Sequence, residues 1–318
     1  MKPLMELDRS SLSLSIVVPT LNRRGRVEKL IGSILRCDLP KGVPVECLIV
    51  DNGSSDGTPE AIEVLSKGAP FSVRCIREPE TGASRARNAG IRQATGSVVV
   101  FTDDDCEVDP DWLVRIAEAF QRMPDLTGLF GRVLPGEPGP IDVSTLSVKS
   151  APEPRDYRFP CSPFIGHGNN MAFRWRSLLA VNGFDTSFGP GAPLRAGEDL
   201  ELAYRLLRQG AWLRYEPSVG LRHMPRDTEK GMLHGHRRNA IGLGAFFAKW
   251  ILRGDVYAFK VSVWWYGDCL SGYVRAVRQG QSPVARIKGI YLTWVHYGFL
   301  LQIAYLCRLT RGGRRGAT

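Results

Sequence analysis

The sequence predicts an α/β fold: a mostly parallel sheet with helices on both faces, followed by a helical C-terminal region. Three observations predict it. Short apolar runs alternate with segments of helical periodicity over the first two thirds of the chain. Those runs are apolar throughout rather than every second residue, as strands buried on both faces require. Beyond about Pro225 strand signals stop, and aromatic-rich, basic, Gly-interrupted helical segments take over.

The elements follow in order. Residues 1–13 read as a leader. Ser15-Ile16-Val17-Val18 is a β-branched strand ended by Pro19. Val27, Leu30, Ile31, Ile34 and Leu35 have helical spacing. Glu46–Val50 is the second strand. Thr58-Pro59-Glu60 supplies a cap, a first-turn proline and a first-turn acid, so a second helix starts there. Ser72–Ile76 is the third strand, Ser84–Ala94 a helix, and Ser97–Thr102 a fourth strand. Asp109-Pro110 opens a helix with Trp112, Leu113, Ile116 and Phe120 on one face. Residues 135–165 are rich in Pro and Gly and read as a long loop, a lid or acceptor wall. Glu198–Gln209 is a helix closed by Gly210, and Ala211–Tyr215 a strand. The domains expected are the leader 1–13, an α/β domain 14–225 and a basic helical region 226–318.

In parallel sheets ligands gather beyond the carboxyl ends of the strands. Polar clusters lie just past three of them: Thr20-Leu21-Asn22, Asp51-Asn52-Gly53-Ser54-Ser55-Asp56 and Asp103-Asp104-Asp105. Carboxylates as dense as the triplet repel unless a cation or hydrogen-bond donors compensate them. Hard oxygen ligands suit Mg²⁺ or Mn²⁺ held together with substrate phosphates; a solvated acidic turn is the other reading. Gly197-Glu198-Asp199 opens a helix. Its acids either complement the helix dipole or offer a general base to an acceptor hydroxyl. His223 reads as a structural imidazole or as a further metal ligand. His167, Asn169 and Asn170, with Glu198, read as acceptor region. Gly82–Gly90 is a glycine turn into a helix carrying Arg85 and Arg87, suited to a phosphate or a base edge, or else a surface helix.

Bulk composition narrows the classes. With 43% hydrophobic and 23% charged residues the chain is globular. Its net charge of +10 calls for anionic partners, and the excess sits largely beyond Arg222. Seven cysteines without a CxxC pair fit reduced thiols in a cytosolic compartment. The first apolar run is too short for a secretory signal, so the N-terminus is expected to stay in the cytosol. No GxGxxG follows the first strand and no GxxxxGK[ST] occurs, which removes the dinucleotide and P-loop readings. No nucleic-acid motif is present, so no nucleic-acid partner is expected.

Taken together, Ser15–Asn22, Leu48–Thr58, Gly82–Gly90, the aspartate triplet and Gly183-Phe184-Asp185 with Gly197–Leu202 resemble glycosyltransferase family 2, over roughly residues 14–225. That resemblance implies a GT-A (nucleotide-diphospho-sugar transferase), Rossmann-like fold and an inverting transfer from a nucleotide-sugar (UDP-, GDP- or dTDP-sugar) to a hydroxyl acceptor. It implies that Asp51 bonds the nucleobase, with Pro19, Thr20 and Arg87 around it and Asn22 in the same donor-binding loop set. The triplet matches a DxD motif, Asp103 toward the ribose and Asp105 toward Mg²⁺ or Mn²⁺, with Asp104 able to take either place. Asp199 matches the catalytic base, and His223 a metal-binding histidine found in some members. A QxxRW motif of processive members is missing. A sugar-phosphate nucleotidyltransferase and an inactive membrane scaffold are the alternatives.

Gly289–Cys307 carries no Asp, Glu, Lys or Arg, while Ala240–Leu252 and Val256–Leu270 hold aromatics interrupted by Lys249, Lys260 and Asp268. Three readings stand: interfacial helices on a membrane, a packed subdomain or oligomer contact, and a true span. The membrane readings imply a sugar or lipid-linked acceptor, a place at the cytosolic face of the plasma membrane, and a role in cell-surface polysaccharide or glycolipid synthesis.

Overall fold

The computed structural model describes residues 11–136, 148–224 and 228–315, with side chains to residue 309. The expected leader, the middle of the 135–165 loop and the boundary at Pro225 therefore lie largely outside the described residues. The chain divides into two compact units, one of Met1–Asp185 with Leu202–Pro225 and one of Thr186–Glu201 with Arg226–Thr318.

The first unit is built on one sheet. β1 (Leu14–Thr20), β2 (Val45–Asp51), β3 (Ser72–Arg77) and β4 (Val98–Thr102) alternate with α1 (Arg24–Leu35), α2 (Thr58–Ser66) and α3 (Ala83–Gln93). β5 (Cys106–Val108), α4 (Trp112–Arg122), β6 (Gly128–Pro135), β7 (Arg155–Tyr157), β8 (Asn170–Arg174), α5 (Trp175–Ala180), α6 (Glu198–Arg208) and β9 (Leu213–His223) follow. The spatial order is β3-β2-β1-β4-β8-β6-β9-β5, with β7 on β9. Strands β3-β2-β1-β4 are parallel. Beyond them the sheet is mixed, because β8 runs antiparallel to both β4 and β6 while β6 and β9 pair in parallel.

Both faces of the sheet are covered at β1, β2 and β4, whereas the edge strand β3, expected to be buried like them, is largely exposed. One face carries Ile16, Val18, Val98 and Val100 against Leu30, Ile31, Trp112 and Ile116 of α1 and α4. The other carries Val17, Val99 and Phe101 against Ala86 and Ala89 of α3, Phe184, and Leu202 and Leu206 of α6. This double burial is why β1 and β4 read as unbroken apolar runs. Helix α3 approaches so closely that a Cβ at Gly90 would collide with the Val17 side chain.

Sequence reading passed over β5, β6, β7 and β8; β5 and β7 are only three residues each, and the two longer strands each have a physical reason to be obscure. β6 contains Gly128 and Gly131, ordinarily weak strand formers. A Cβ at Gly128 would meet the Phe173 ring, and one at Gly131 would meet the Asn170 carboxamide and the Val219 carbonyl. Their glycines are set by neighbours far away in sequence. β8 has only five residues and starts at Asn170, the last residue of a stretch expected to be acceptor wall. β9 extends well past the expected Tyr215, to His223, through a register irregularity opposite Gly131–Arg132.

The second unit contains α7 (Glu229–Ile251), α8 (Val256–Arg278), α9 (Ser282–Arg315) and the first turn of α6. Thr228 and Asp255 cap α7 and α8 by accepting from Gly231 N and Ala258 N. α7 and α9 pack backbone against backbone: a Cβ at Gly244 would strike the Val295 carbonyl, and one at Gly298 the Ile241 carbonyl. Among the described residues, one stretch is long and apolar enough to cross a membrane, Ser282–Leu309 of α9, and only 17% of its most apolar window is buried.

Candidate active site

Parallel pairing brings the polar clusters of the first unit to one edge. Thr20, the last residue of β1, sits in register with Asp51, the last of β2. β4 pairs with β1 and ends at Thr102, so the triplet emerges beside Thr20. The Thr20 hydroxyl donates to Asp104 Oδ2 at 2.8 Å. Pro19, one residue earlier in the strand, is only partly buried.

Two side-chain amides join the loops. Asn22 holds a left-handed φ of 51°, its Oδ1 accepts from Ser55 N at 2.8 Å, and its own N–H donates to Ser54 Oγ at 2.8 Å. Asn52 donates to the carbonyls of Glu78 and Glu80 and accepts from Gly82 N at 2.7 Å. It thereby ties the second loop to the turn that starts α3. Asp51 is buried, and its carboxylate accepts from Ser54 N at 3.1 Å.

The three aspartates have three different environments. Asp103 accepts from Arg87 NH2 at 2.7 Å. The Arg87 side chain is 3% exposed and its guanidinium lies 5.5 Å from the Phe184 ring centroid. Asp104 is nearly buried, and desolvation, reinforced by the charge of Asp105, pushes its carboxyl up to about 6 against the opposing pull of Arg23. Asp105 is held well below the usual carboxylate range: burial pushes its carboxyl upward, but His223, Arg23 and Arg26 outweigh that. Arg23 NH1 bridges Asp104 Oδ1 at 2.8 Å and Asp105 Oδ2 at 3.1 Å, and Arg26 NH1 lies 3.7 Å from the latter.

His223 comes from β9. Antiparallel pairing sets it opposite Cys106, and its Nε2 lies 3.4 Å from Asp105 Oδ1. Asp105 thus presents one oxygen to an imidazole and the other to arginines. Among the described residues no group of three or more His, Cys, Asp or Glu side chains gathers as a metal cage. One carboxylate oxygen and one imidazole nitrogen still fit a divalent ion that draws the rest of its shell from substrate phosphates and water.

The expected acceptor residues separate. The Asn170 carboxamide is committed to the sheet: it donates to the carbonyls of Arg132 at 2.9 Å and Val219 at 3.0 Å and accepts from Trp112 Nε1 at 3.0 Å. That leaves it bracing α4, β6 and β9 rather than facing a ligand. Asn169 is also buried, yet neither its Oδ1 nor its Nδ2 has a hydrogen-bond partner among the described residues. An unmatched buried amide is costly, roughly 1–3 kcal/mol, and is a natural place for a ligand hydroxyl. His167 donates from Nε2 to the Val148 carbonyl at 3.2 Å, and burial lowers its pKa to about 4, so the ring is neutral. Glu198 and Asp199 belong to the second unit, in the first turn of α6; Glu198 is buried, and Asp199 Oδ1 accepts from Leu200 N at 2.8 Å.

The contributions of Arg23, Arg26 and Asn52 were not anticipated. The signal for the first two was present: Arg23-Arg24-Gly25-Arg26 follows the end of β1 after two intervening residues, and three positive charges there complement the three negative ones after β4.

Comparison with known proteins bears on this arrangement. The sequence profile of "Glycosyl transferase family 2" matches residues 15–178, and that of "Glycosyl transferase family group 2" matches residues 98–309. The chain belongs to glycosyl transferase family 2. Glycosyltransferase AglE of Haloferax volcanii is 33% identical over 102 residues, 32% of this chain and 33% of that one. Dolichol-phosphate mannosyltransferase of Pyrococcus furiosus is 31% identical over 115 residues, 36% of this chain and 32% of that one. The matched stretch thus spans about a third of the length of these two relatives. The structure of mannosyltransferase PcManGT from Pyrobaculum calidifontis, in complex with GDP-Man and Mn²⁺, superposes with a TM-score of 0.63 at 19% identity, over 90% of this chain and 86% of that one. The two share the GT-A fold, with a C-terminal helical region present in this family 2 chain.

Proposed function

We propose that this chain is an inverting glycosyltransferase that moves a sugar from a nucleotide-diphosphate-sugar to a hydroxyl acceptor. The observation that carries the reading is the gathering of Thr20, Asp51, Arg87 and all three aspartates at one sheet edge, with His223 against Asp105. Asp51 with Pro19, Thr20 and Arg87 receives the base, and Asp103, held by Arg87, orients the ribose. Asn22 keeps the loops that line this pocket in register.

Asp105 and His223 are the residues that would hold Mg²⁺ or Mn²⁺, with Asp104 beside them. A bound divalent ion neutralises charge on the departing diphosphate. Arg23 and Arg26 add fixed positive charge on the same side of the site, where it stabilises the negative charge that builds up during bond cleavage. Asp199 removes the proton of the acceptor hydroxyl as its oxygen attacks the anomeric carbon. The nucleoside diphosphate leaves from the opposite face, so one displacement inverts the configuration and no sugar–enzyme bond forms. Asn169 offers its carboxamide to a sugar hydroxyl.

The acceptor we assign is a sugar or lipid-linked species at the cytosolic face of a membrane, as in cell-surface polysaccharide or glycolipid synthesis. Support comes from α8, where Val256, Phe259, Val263, Leu270, Val274 and Val277 are exposed at helical spacing beside Lys260 and Arg278. Release of free nucleoside diphosphate from a panel of UDP-, GDP- and dTDP-sugars, with Mn²⁺ and sugar or lipid-phosphate acceptors, tests the reading. Asp199→Asn is expected to abolish turnover while binding donor as the wild type does. Full turnover by Asp199→Asn would remove that residue from its role, and no release from any donor would remove the activity.

A further inference from the structure

A buried ion pair in the second unit has no part in the chemistry above. Lys249 Nζ of α7 lies 2.5 Å from Glu201 Oε1 in the first turn of α6, with side chains 7% and 0% exposed. The ammonium also lies 5.3 Å from the Phe188 ring centroid and 5.8 Å from that of Trp250. A pair this deep adds little to stability, because apolar side chains of equal volume commonly hold a fold as well. What it supplies is a fixed register between two elements.

The same face of α7 meets the same segment at two further points. Arg238 NH2 donates to the Arg195 carbonyl at 3.3 Å. A Cβ at Gly242 would run into the Ala196 carbonyl, so helix backbone touches loop backbone. Gly197 in turn has φ +84°, with a Cβ there 3.4 Å from Gly242. Positions 238, 242 and 249 recur at four and seven residues, one helical stripe. That stripe grips residues 195–201 on both sides of Asp199.

We propose that Lys249 is a positioning residue: through its buried bond to Glu201 it fixes the rotation of the first turn of α6, and with it the direction of the Asp199 carboxylate. This rests on the reading of Asp199 as the base. A misplacement of about 1 Å in a reacting group lowers rates by roughly 100-fold, so a fixed turn matters to the rate more than to the fold.

The test uses the full chain, with Lys249→Met and with Lys249→Met combined with Glu201→Leu. The single variant leaves Glu201 buried without its ammonium and is expected to melt earlier. The double variant is expected to recover most of the melting temperature. It should bind UDP or GDP with Mn²⁺ within twofold of the wild type, yet show kcat reduced at least tenfold and faster amide exchange over residues 196–204. Wild-type kcat and wild-type exchange in the double variant would overturn the proposal. Asp199→Asn, assayed alongside, separates the two claims. If that variant turns over normally the base assignment fails, and amide exchange alone then decides whether Lys249 holds the α6 turn.

Discussion

Replacing Arg87 by Met separates the electrostatic role of this side chain from its packing. Met keeps most of the aliphatic stem that lies among the α3 core residues but removes the guanidinium. The interactions lost include the 2.7 Å bond to Asp103 and the contact with the Phe184 ring. Breaking a fully buried ion pair destabilises by about 3–5 kcal/mol. Asp103 keeps a third of its side-chain surface in solvent, so water takes over much of the carboxylate's solvation and the loss is nearer ~1–2 kcal/mol. The cation–π contact adds roughly 0.5–1 kcal/mol, giving about 2 kcal/mol in all. Urea unfolding followed by tryptophan fluorescence should show a lowered midpoint with an unchanged slope. If Arg87 also sets Asp103 for the donor ribose, loss of one charge-assisted bond, about 1.5–3 kcal/mol, weakens nucleotide binding by roughly 10- to 100-fold by titration calorimetry. Wild-type stability together with wild-type affinity would refute both the energetic reasoning and the place of Arg87 in the donor site.

Other outcomes follow from the same geometry. Asp105→Ala should weaken nucleotide binding when Mn²⁺ is present and have little effect in chelator; a wild-type protein that binds equally well with and without Mn²⁺ would count against the ion. Burial pushes the Glu46 carboxyl upward, but hydrogen bonds from Ser15, Thr95 and Arg74 outweigh it and hold the group below its ordinary 4.5. Its stabilising effect is therefore present at neutral pH and is lost as pH falls through 4.5 and below, because the unfolded chain then takes up a proton first. Glu46→Gln should flatten that acid limb of the stability curve measured by thermal melts, and an unchanged limb would exclude the carboxylate as its source. Replacing exposed Phe259 and Val263 of α8 by Ser should reduce co-sedimentation with vesicles of phosphatidylcholine and phosphatidylglycerol, with no change in melting temperature; retained sedimentation would detach α8 from the membrane reading.

How much of this was legible in the sequence can be judged strand by strand. β1, β2 and β4 were plain because burial on both faces leaves an uninterrupted apolar run. β6 and β8 were not, because what makes them strands is pairing with distant segments, and the glycines of β6 that permit it look like turn signals. The site shows the same division. Thr20, Asp51 and the triplet were readable as polar residues after strands, whereas the commitment of Asn170 to Trp112, Arg132 and Val219 was invisible.

By itself, then, the sequence determined the alternation of strands and helices, the family motifs and the loops that carry the acidic residues, since those are written in local periodicity and short-range order. Only the tertiary structure decided which side chains meet. Pairing of β5 with β9 places His223 beside Asp105, parallel pairing of β1 with β4 lets Arg23 bridge Asp104 and Asp105, and the packing of α7 seats Lys249 on Glu201. Each of those contacts joins residues separated by about 50 to 120 positions, and its geometry is set by register and close backbone approach, which no local pattern records.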